Sequence, residues 1–326
     1  MGKGLAAALT LVLVAATPAA AQPTDRSYRV GFVGPYSAGL DWSILQGYQA
    51  RLRELGWVEG QNLSTTYRWA EGNFGKFPAL VRDIMSEATD LLVLPCGDAI
   101  KAARDLDPAI PIVARCIDLT GLGGEVATAA RPGSLTTGVT YFSPGATQRR
   151  LELLKELVPG LSRVGVLVQA ESSWTPHWPE VEAAARRVGL AVDRLEWSPS
   201  SDPGGAFHTA TQRRLGALLT LGDGATHFGR HALFELAAQH RVPVMYDFPM
   251  FPTADELGLI SYYGDVTALF RTVAEQVDQI LRGRKPGDIP LATPQKFRLL
   301  INGKAARALG LSISPALRRQ ADQVID

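Results

Sequence analysis

The chain is poor in the features that mark specialised scaffolds. Of its 326 residues only two are cysteine, Cys96 and Cys116, and five are histidine. Two cysteines cannot build a disulfide-dense scaffold or a four-ligand zinc module. Neither sign of charge is in surplus: 33 Lys+Arg stand against 32 Asp+Glu. A nucleic-acid binder carries a basic footprint, so no nucleic-acid partner is expected. No apolar run reaches the ~18 residues needed to span a bilayer. Catalytic motifs are missing too. Gly72-Asn73-Phe74-Gly75-Lys76 has the wrong spacing for a phosphate loop and runs into Phe77. No G-x-G-x-x-G follows the first apolar run, and Gly34-Pro35-Tyr36-Ser37-Ala38-Gly39 misses a nucleophile elbow by one position. All the histidines lie at or beyond position 177, which leaves Ser37 without a base in its own half. The chain is therefore read as a binder and not an enzyme.

What is present is ordinary globular material. A content of 46% hydrophobic and 20% charged residues excludes disorder. At ~150 residues per domain the length predicts two domains. The first 21 residues stand apart. Lys3 gives a positive start, Leu5–Ala16 an apolar stretch too short to span, and Ala19-Ala20-Ala21 a small-residue cleavage pattern. Residues 1–21 are read as a secretory signal peptide, with the mature chain starting at Gln22 and no cysteine nearby to take a lipid. The expected location is the periplasm.

Beyond it, short apolar runs alternate with amphipathic stretches. The spacing predicts strands at Arg29–Val33, Leu63–Tyr67, Leu91–Leu94 and Ile110–Ala114. Helices are predicted at Asp41–Leu55, with Asp41 as N-cap, and at Pro78–Ala88. Strands alternating with helices mean a parallel, doubly wound sheet. The pattern then recurs. RVGFVGP at 29–35 is answered by RVGVLVQ at 163–169, LLVLPCGDA at 91–99 by ALLTLGDGA at 217–225, and IPIVAR at 110–115 by VPVMYD at 242–247. A helix at Pro179–Val188 closes on Gly189 as the first helix closes on Gly56. The fold class is α/β, with two similar doubly wound parallel-sheet lobes joined near Thr137–Tyr141. Lobe 1 is expected to take 22–141 and 264–284, and lobe 2 to take 142–263 and 285–326. The tail predicts a strand at Leu259–Tyr262, helices at Val266–Leu281, Lys304–Leu309 and Pro315–Val324, and a strand at Phe297–Ile301. The chain would then cross between lobes more than once, which makes a hinge.

Ligands of open parallel sheets lie outside the carboxyl ends of the strands. Two facing lobes give a cleft with two sets of such ends. The candidate contacts are Tyr36, Ser37, Trp69, Gly97, Asp98 and Asp118 from the first lobe, and Gln169, Asp223 and Asp247 from the second. Aspartates can accept from an amine, helix N-termini can hold a carboxylate, and Tyr36, Trp69 and Trp174 can cover an apolar body. The plain alternative is that each aspartate caps a helix or turn. His227 and His231, with Asp223 four positions before His227, have a spacing that could suit a metal. A solvated helix face is the ordinary reading, and no metal or cofactor is expected. Trp57, Trp178 and Trp197 are read as packing residues. Cys96 and Cys116 end neighbouring predicted strands, so they could pair as a disulfide if the registers match, or stay as two small apolar residues.

Five segments together resemble a known family: LRELGWVEGQNL at 52–63, YRWAEG at 67–72, ARPGSLTTGVT at 130–140, RRLELLKELVPG at 149–160, and KFRLLINGKAARALGLSISPALRRQADQVI at 296–325. They resemble the ABC-transporter substrate-binding family that includes binding proteins for tryptophan and other aromatic amino acids. The resemblance covers nearly the whole mature chain. It implies a type I periplasmic-binding-protein fold, closure around a small ligand, and delivery to a membrane permease; the partner expected is an ABC permease in the inner membrane, and the chain is expected to be a monomer. The resemblance also implies ligand contacts at Asp223 and Gln169. Where the family commonly has Asp-Pro, this chain has Asp118-Leu119. A periplasmic sensor feeding a membrane receptor, or an enzyme on the same scaffold, are the other functions open to such a chain.

Overall fold

The computed structural model describes residues 26–95, 97–116, 128–141, 143–169, 177–197, 203–221, 229–248 and 258–326, without the side chains at 40–44, 116, 144 and 169. The expected signal peptide lies outside the described residues.

The first lobe begins with β1 (Tyr28–Gly34), buried from Val30 onward as a strand covered on both faces must be. There follow α1 (Ala38–Glu54), β2 (Leu63–Trp69), α2 (Phe77–Met85), β3 (Leu91–Pro95), α3 (Asp98–Leu106), β4 (Ile112–Cys116) and β5 (Thr136–Thr140). The five strands are parallel, in the order β2-β1-β3-β4-β5. Helix α1 starts at Ala38, so Asp41 lies inside its first turn and is not the N-cap expected. The junction of the lobes is expected near Thr137–Tyr141, but Thr136–Thr140 is a fully buried strand of the first sheet. The chain leaves the lobe only after it.

The second lobe repeats the plan. Its elements are α4 (Pro144–Leu157), β6 (Arg163–Gln169), α5 (Trp178–Val188), β7 (Ala191–Trp197), α6 (Gly204–Gln212), β8 (Ala217–Thr220), α7 (Arg230–His240), β9 (Val244–Tyr246) and β10 (Ile260–Gly264). Strands β7-β6-β8-β9-β10 reproduce the order of the first sheet. Equivalent hydrogen bonds fix the alignment of the halves. Leu92 N–H donates to Pro111 O at 3.0 Å and Leu218 N–H to Pro243 O at 2.8 Å. Asp90 N–H donates to Arg29 O at 2.9 Å and Gly216 N–H to Arg163 O at 3.0 Å. The repeated glycine has one cause in both halves. A Cβ on Gly31 would stand 2.3 Å from Ile84 Cγ2, and one on Gly165 would stand 2.5 Å from Leu218 Cδ2. Neither core has room for it.

The tail crosses back. Helix α8 (Val266–Leu281) is capped by Asp265, whose Oδ1 accepts from Ala268 N–H at 3.0 Å. It packs beside α1 on the first sheet, burying Leu269, Phe270, Val273 and Val277 with Leu45, Tyr48 and Leu52. Each such side chain contributes roughly 1.5–3 kcal/mol. The expected lobe boundary at 285 is corrected by Ile289 and Leu291, which are buried in the first-lobe cores. Ala292 N–H donates to Gly138 O of β5 at 3.0 Å. The chain therefore stays with lobe 1 to Ala292 before β11 (Phe297–Asn302) joins the second sheet. β11 runs antiparallel to β10, so the second sheet is not wholly parallel. After α9 (Gly303–Ala308) and α10 (Pro315–Gln320), the expected helix to Val324 stops at Gln320 and β12 (Gln323–Ile325) pairs with β11. Three crossovers thus join the lobes: 141–143, 264–265 and 293–296.

Candidate functional site

In each sheet the strand order reverses once, between β1 and β3 in the first lobe and between β6 and β8 in the second. Loops leaving the two strands at that point go to opposite faces and leave a crevice at the carboxyl ends. All three crossovers also lie at this end, since β5 and β10 each run straight into one.

On the first lobe, three backbone bonds tie the loop after β1 to the loop after β2. Ala70 N–H donates to Gly34 O at 2.9 Å, Gly72 N–H to Pro35 O at 3.0 Å, and Glu71 N–H to Tyr36 O at 3.2 Å. Tyr36 and Ser37 are thereby held half-buried at the rim. Trp69 ends β2 and stacks on Tyr67, with ring centroids 6.2 Å apart and planes within 6°. Phe32 lies 5.4 Å from Tyr67 and 6.0 Å from Trp69, centroid to centroid, and 5.7 Å from Tyr48 of α1. The Tyr67 hydroxyl accepts from Gln49 Nε2 at 3.1 Å. Burial raises the Tyr67 and Tyr48 hydroxyl pKa values above the ordinary phenol range, so both stay protonated donors. After β3, Gly97 at φ 71° turns the chain into α3. Asp98 is exposed in the first turn of that helix, where its charge suits the helix dipole.

On the second lobe, Asp247 follows β9. Its Oδ1 accepts from the Thr220 hydroxyl at 3.2 Å, and its own N–H donates back to that oxygen at 3.3 Å. Arg150 of α4 is buried, and its Nε donates to Tyr262 O at 2.8 Å. Burial lowers the Arg150 pKa, and the carboxylate of Asp247 pushes the other way. Tyr262 stacks on Phe297 at 5.2 Å.

Sequence reasoning missed two arginines at this end of the molecule, Arg115 and Arg150. Arg115 is buried, and its guanidinium lies 4.7 Å from the Phe32 ring centre and 5.1 Å from that of Phe270. The signal for Arg115 was in the repeat, because Arg115 of IPIVAR aligns with Asp247 of VPVMYD. The structure brings Tyr36, Ser37, Trp69, Gly97 and Asp98 to the carboxyl edge of the first sheet, and Asp247 to that of the second. Asp118, Asp223, Trp174 and His227 lie outside the described residues, as does the side chain of Gln169, the last residue of β6. His231 sits exposed in α7 with its ring 6.4 Å from that of Phe234. Among the described residues no cluster of three metal-ligating side chains occurs. Trp57 and Trp197 are buried and Trp178 packs against the second-lobe core, as packing residues should. A cavity of about 510 Å³ lined by Arg82, Met85, Thr89, Leu106 and Ile110 opens at the amino ends of β3 and β4, away from this edge.

The comparisons with known proteins meet this geometry. A tyrosine-binding protein of Clostridioides difficile (strain R20291) is 20% identical over 273 residues, covering 82% of this chain and 76% of the relative. A crystal structure of an ABC domain in complex with L-Trp from Streptococcus pneumoniae superposes with a TM-score of 0.80 at 23% identity, over 92% of this chain and 100% of that one. A conserved domain protein from Vibrio cholerae O1 biovar El Tor gives 0.81 at 23% identity, with the same coverage. These likenesses give the fold, that of the type I periplasmic binding proteins. Residues 38–325 match the family model described as ABC transporter substrate binding protein, nearly the whole described chain. Two repeated sheets joined by three crossovers agree with that match, and the chain belongs to the ABC transporter substrate-binding protein family.

Proposed function

We propose that the protein is the periplasmic solute-binding component of an ABC importer, that its solute is an aromatic amino acid or a close relative, and that it catalyses no reaction. The observation that carries this reading is the stacked pair of Trp69 and Tyr67, half-buried at the carboxyl end of β2 and backed by the buried ring of Phe32. Stacked rings offer a face to an indole or phenol, each good contact adding roughly 0.5–1.5 kcal/mol beyond area burial. The tyrosine-binding relative and the L-Trp complex support the same solute class. Tyr36, Ser37, Gly97, Asp98 and Asp118 would line the cleft from one side, and Gln169, Asp223 and Asp247 from the other. Closure about the three crossovers would bury the solute and present the closed monomer to the permease. Cleavage after Ala21 would release the chain into the periplasm without a lipid.

Calorimetry on the mature chain, refolded from denaturant to strip carried-over solute, tests the proposal. L-tyrosine or L-tryptophan should bind one per chain. At 100 times Kd the solute should add about 2.7 kcal/mol to stability. A folded chain that neither of them stabilises would refute the aromatic solute.

A further inference from the structure

The internal repeat sets opposite charges at equivalent places. The matched hydrogen bonds at Pro111 and Pro243 align Ile112-Val113-Ala114-Arg115 with Val244-Met245-Tyr246-Asp247. One lobe therefore offers a guanidinium at the end of its fourth strand and the other a carboxylate. Their surroundings differ. Asp247 has the Thr220 hydroxyl as a donor and Arg150 within electrostatic reach. Arg115 is only 7% exposed, yet among the described residues no carboxylate pairs with it. One NH2 donates to Val33 O at 2.7 Å, the two flanking rings are neutral, and Nε is buried without a partner. The side chain starts on β4 and reaches β1 across the end of β3, so it lies over the point where the strand order reverses. Within its electrostatic reach, the Tyr48 hydroxyl is also buried without a partner, and the Phe32 ring packs against both the Tyr48 ring and the Arg115 guanidinium. A buried cation without a counter-charge is costly, and so is an orphaned hydroxyl. The first turns of α1 and α8 add the positive ends of two helix dipoles at this edge. Asp265 caps the α8 end with its own carboxylate, yet among the described residues none pairs with Arg115, and the guanidinium and the Tyr48 hydroxyl remain two buried donors.

We propose that Arg115, with the Tyr48 hydroxyl beside it, is the anchor for the carboxylate of the bound solute, and that Asp247 takes its ammonium from the other lobe. The inference rests on the amino-acid reading of the cleft and adds its polarity: carboxylate toward β4 of the first lobe, ammonium toward β9 of the second. Closure would bring the two charges onto the two ends of one zwitterion, so only a molecule carrying both groups would hold the lobes together.

Calorimetry with three solute series tests this: L-tyrosine and L-tryptophan, the amines tyramine and tryptamine, and the acids 3-(4-hydroxyphenyl)propionate and indole-3-propionate. Wild type should bind the amino acids about 10- to 100-fold more tightly than the amines, the range of one lost charged hydrogen bond. Arg115→Met should weaken the amino acids and the acids by a similar factor and leave the amines nearly unchanged. Tyr48→Phe should act the same way, by a smaller factor. Asp247→Asn should weaken the amino acids and the amines and spare the acids. If Arg115→Met fails to fold, Arg115→Lys and the wild-type series still decide the matter. Lys keeps the charge and loses the fork, so the preference for acids over amines should shrink without vanishing. Equal loss of amines and acids in Arg115→Met, or amino-acid binding untouched by it, overturns the anchor and leaves the aromatic amino-acid reading standing. A wild type that ignores aromatic amino acids but binds other amino acids in an Arg115-dependent way overturns that reading and keeps the anchor. A folded wild type that binds no amino acid and neither aryl acid overturns both.

Discussion

Glu54 stands exposed on α1 between two arginines and ties this helix to α8. It pairs with Arg271 NH2 at 2.7 Å and with Arg51 NH1 at 2.9 Å, and Arg51 reaches on to Glu275 at 2.9 Å. The hydrogen bonds from Arg271 and then Arg51 hold its carboxyl down at about 2, against an ordinary value near 4.5. A carboxyl depressed in the fold stabilises it above the unfolded value, and that contribution is lost as pH falls through the folded one. Glu54→Gln should therefore lower the denaturation midpoint above pH 4.5, with the gap to wild type closing between about 4.5 and 2. Because the pair is open to solvent, salt should shrink the gap. A gap independent of pH would assign the effect to packing. Other single residues could not be read from spacing. Arg115 sits in an apolar run, and its burial between Phe32 and Phe270 depends on α8, which arrives from some 150 positions away. Trp69, Gly97 and Asp98 were legible because they end strands or open helices, places that periodicity marks.

Elements were legible where one residue type dominates them. β1 and β3 are apolar runs, and α8 shows an unbroken amphipathic period with its N-cap, so their places agree with expectation, while β4 starts two residues later than expected. β5 was hidden because its sequence is Thr-Thr-Gly-Val-Thr. Its buried threonines are satisfied by distant groups: Arg104 NH2 donates to Thr136 Oγ1 at 2.7 Å, and Thr137 Oγ1 donates to Ile289 O at 2.7 Å. β7 was hidden for another reason. It is an edge strand whose Asp193, Arg194 and Glu196 face outward in part, so the apolar run is broken. β12 is three residues long and depends on pairing with β11. The register of β3 and β4 bears on the two cysteines. Pro95 pairs with Arg115; Cys96 and the side chain of Cys116, next in the chain, lie outside the described residues, so their pairing stays a prediction. Adjacent positions on neighbouring strands lie about 4.8 Å apart, inside the ~4.4–6.8 Å a disulfide requires. An exported chain is therefore expected to carry the bond, worth about 3 kcal/mol for a loop of roughly 20 residues. Thiol titration of the denatured, unreduced chain should find no free thiol, with the monomer mass short by two hydrogens. Two thiols per chain would show that the pair stays reduced.

At the scale of the whole molecule, the duplication could be read directly, because four landmarks recur in order and both glycine–leucine contacts beneath β1 and β6 demand the same sequence. The path of the tail could not. Residues 282–290, RGRKPGDIP, look like a connector, yet Ile289 and then Leu291 close the first-lobe cores and Gln276 Nε2 donates to Gly138 O at 2.8 Å and Pro290 O at 3.2 Å. The third crossover therefore starts later than composition suggests, and it lies against the second. Asp265 N–H donates to Lys296 O at 2.8 Å, and a Cβ on Gly264 would stand 2.7 Å from Pro294 Cβ and 2.8 Å from its Cγ. Two strands of the hinge thus touch at a glycine and a rigid ring, which cannot give way. If the lobes rotate about these crossovers, the contact must stay thin enough for both strands to turn together. Small-angle scattering on the wild type should show a smaller radius of gyration with saturating L-tryptophan than without it. Gly264→Val should wedge the strands apart, cost ~1–3 kcal/mol of stability, and reduce or abolish that contraction while Arg115 and Trp69, which belong to one lobe, remain in place. Weaker binding without contraction in this variant would locate closure at the paired crossovers. An unchanged contraction in the variant would move the pivot to the 141–143 crossing, and an identical wild-type profile at saturation would mean a rigid carrier.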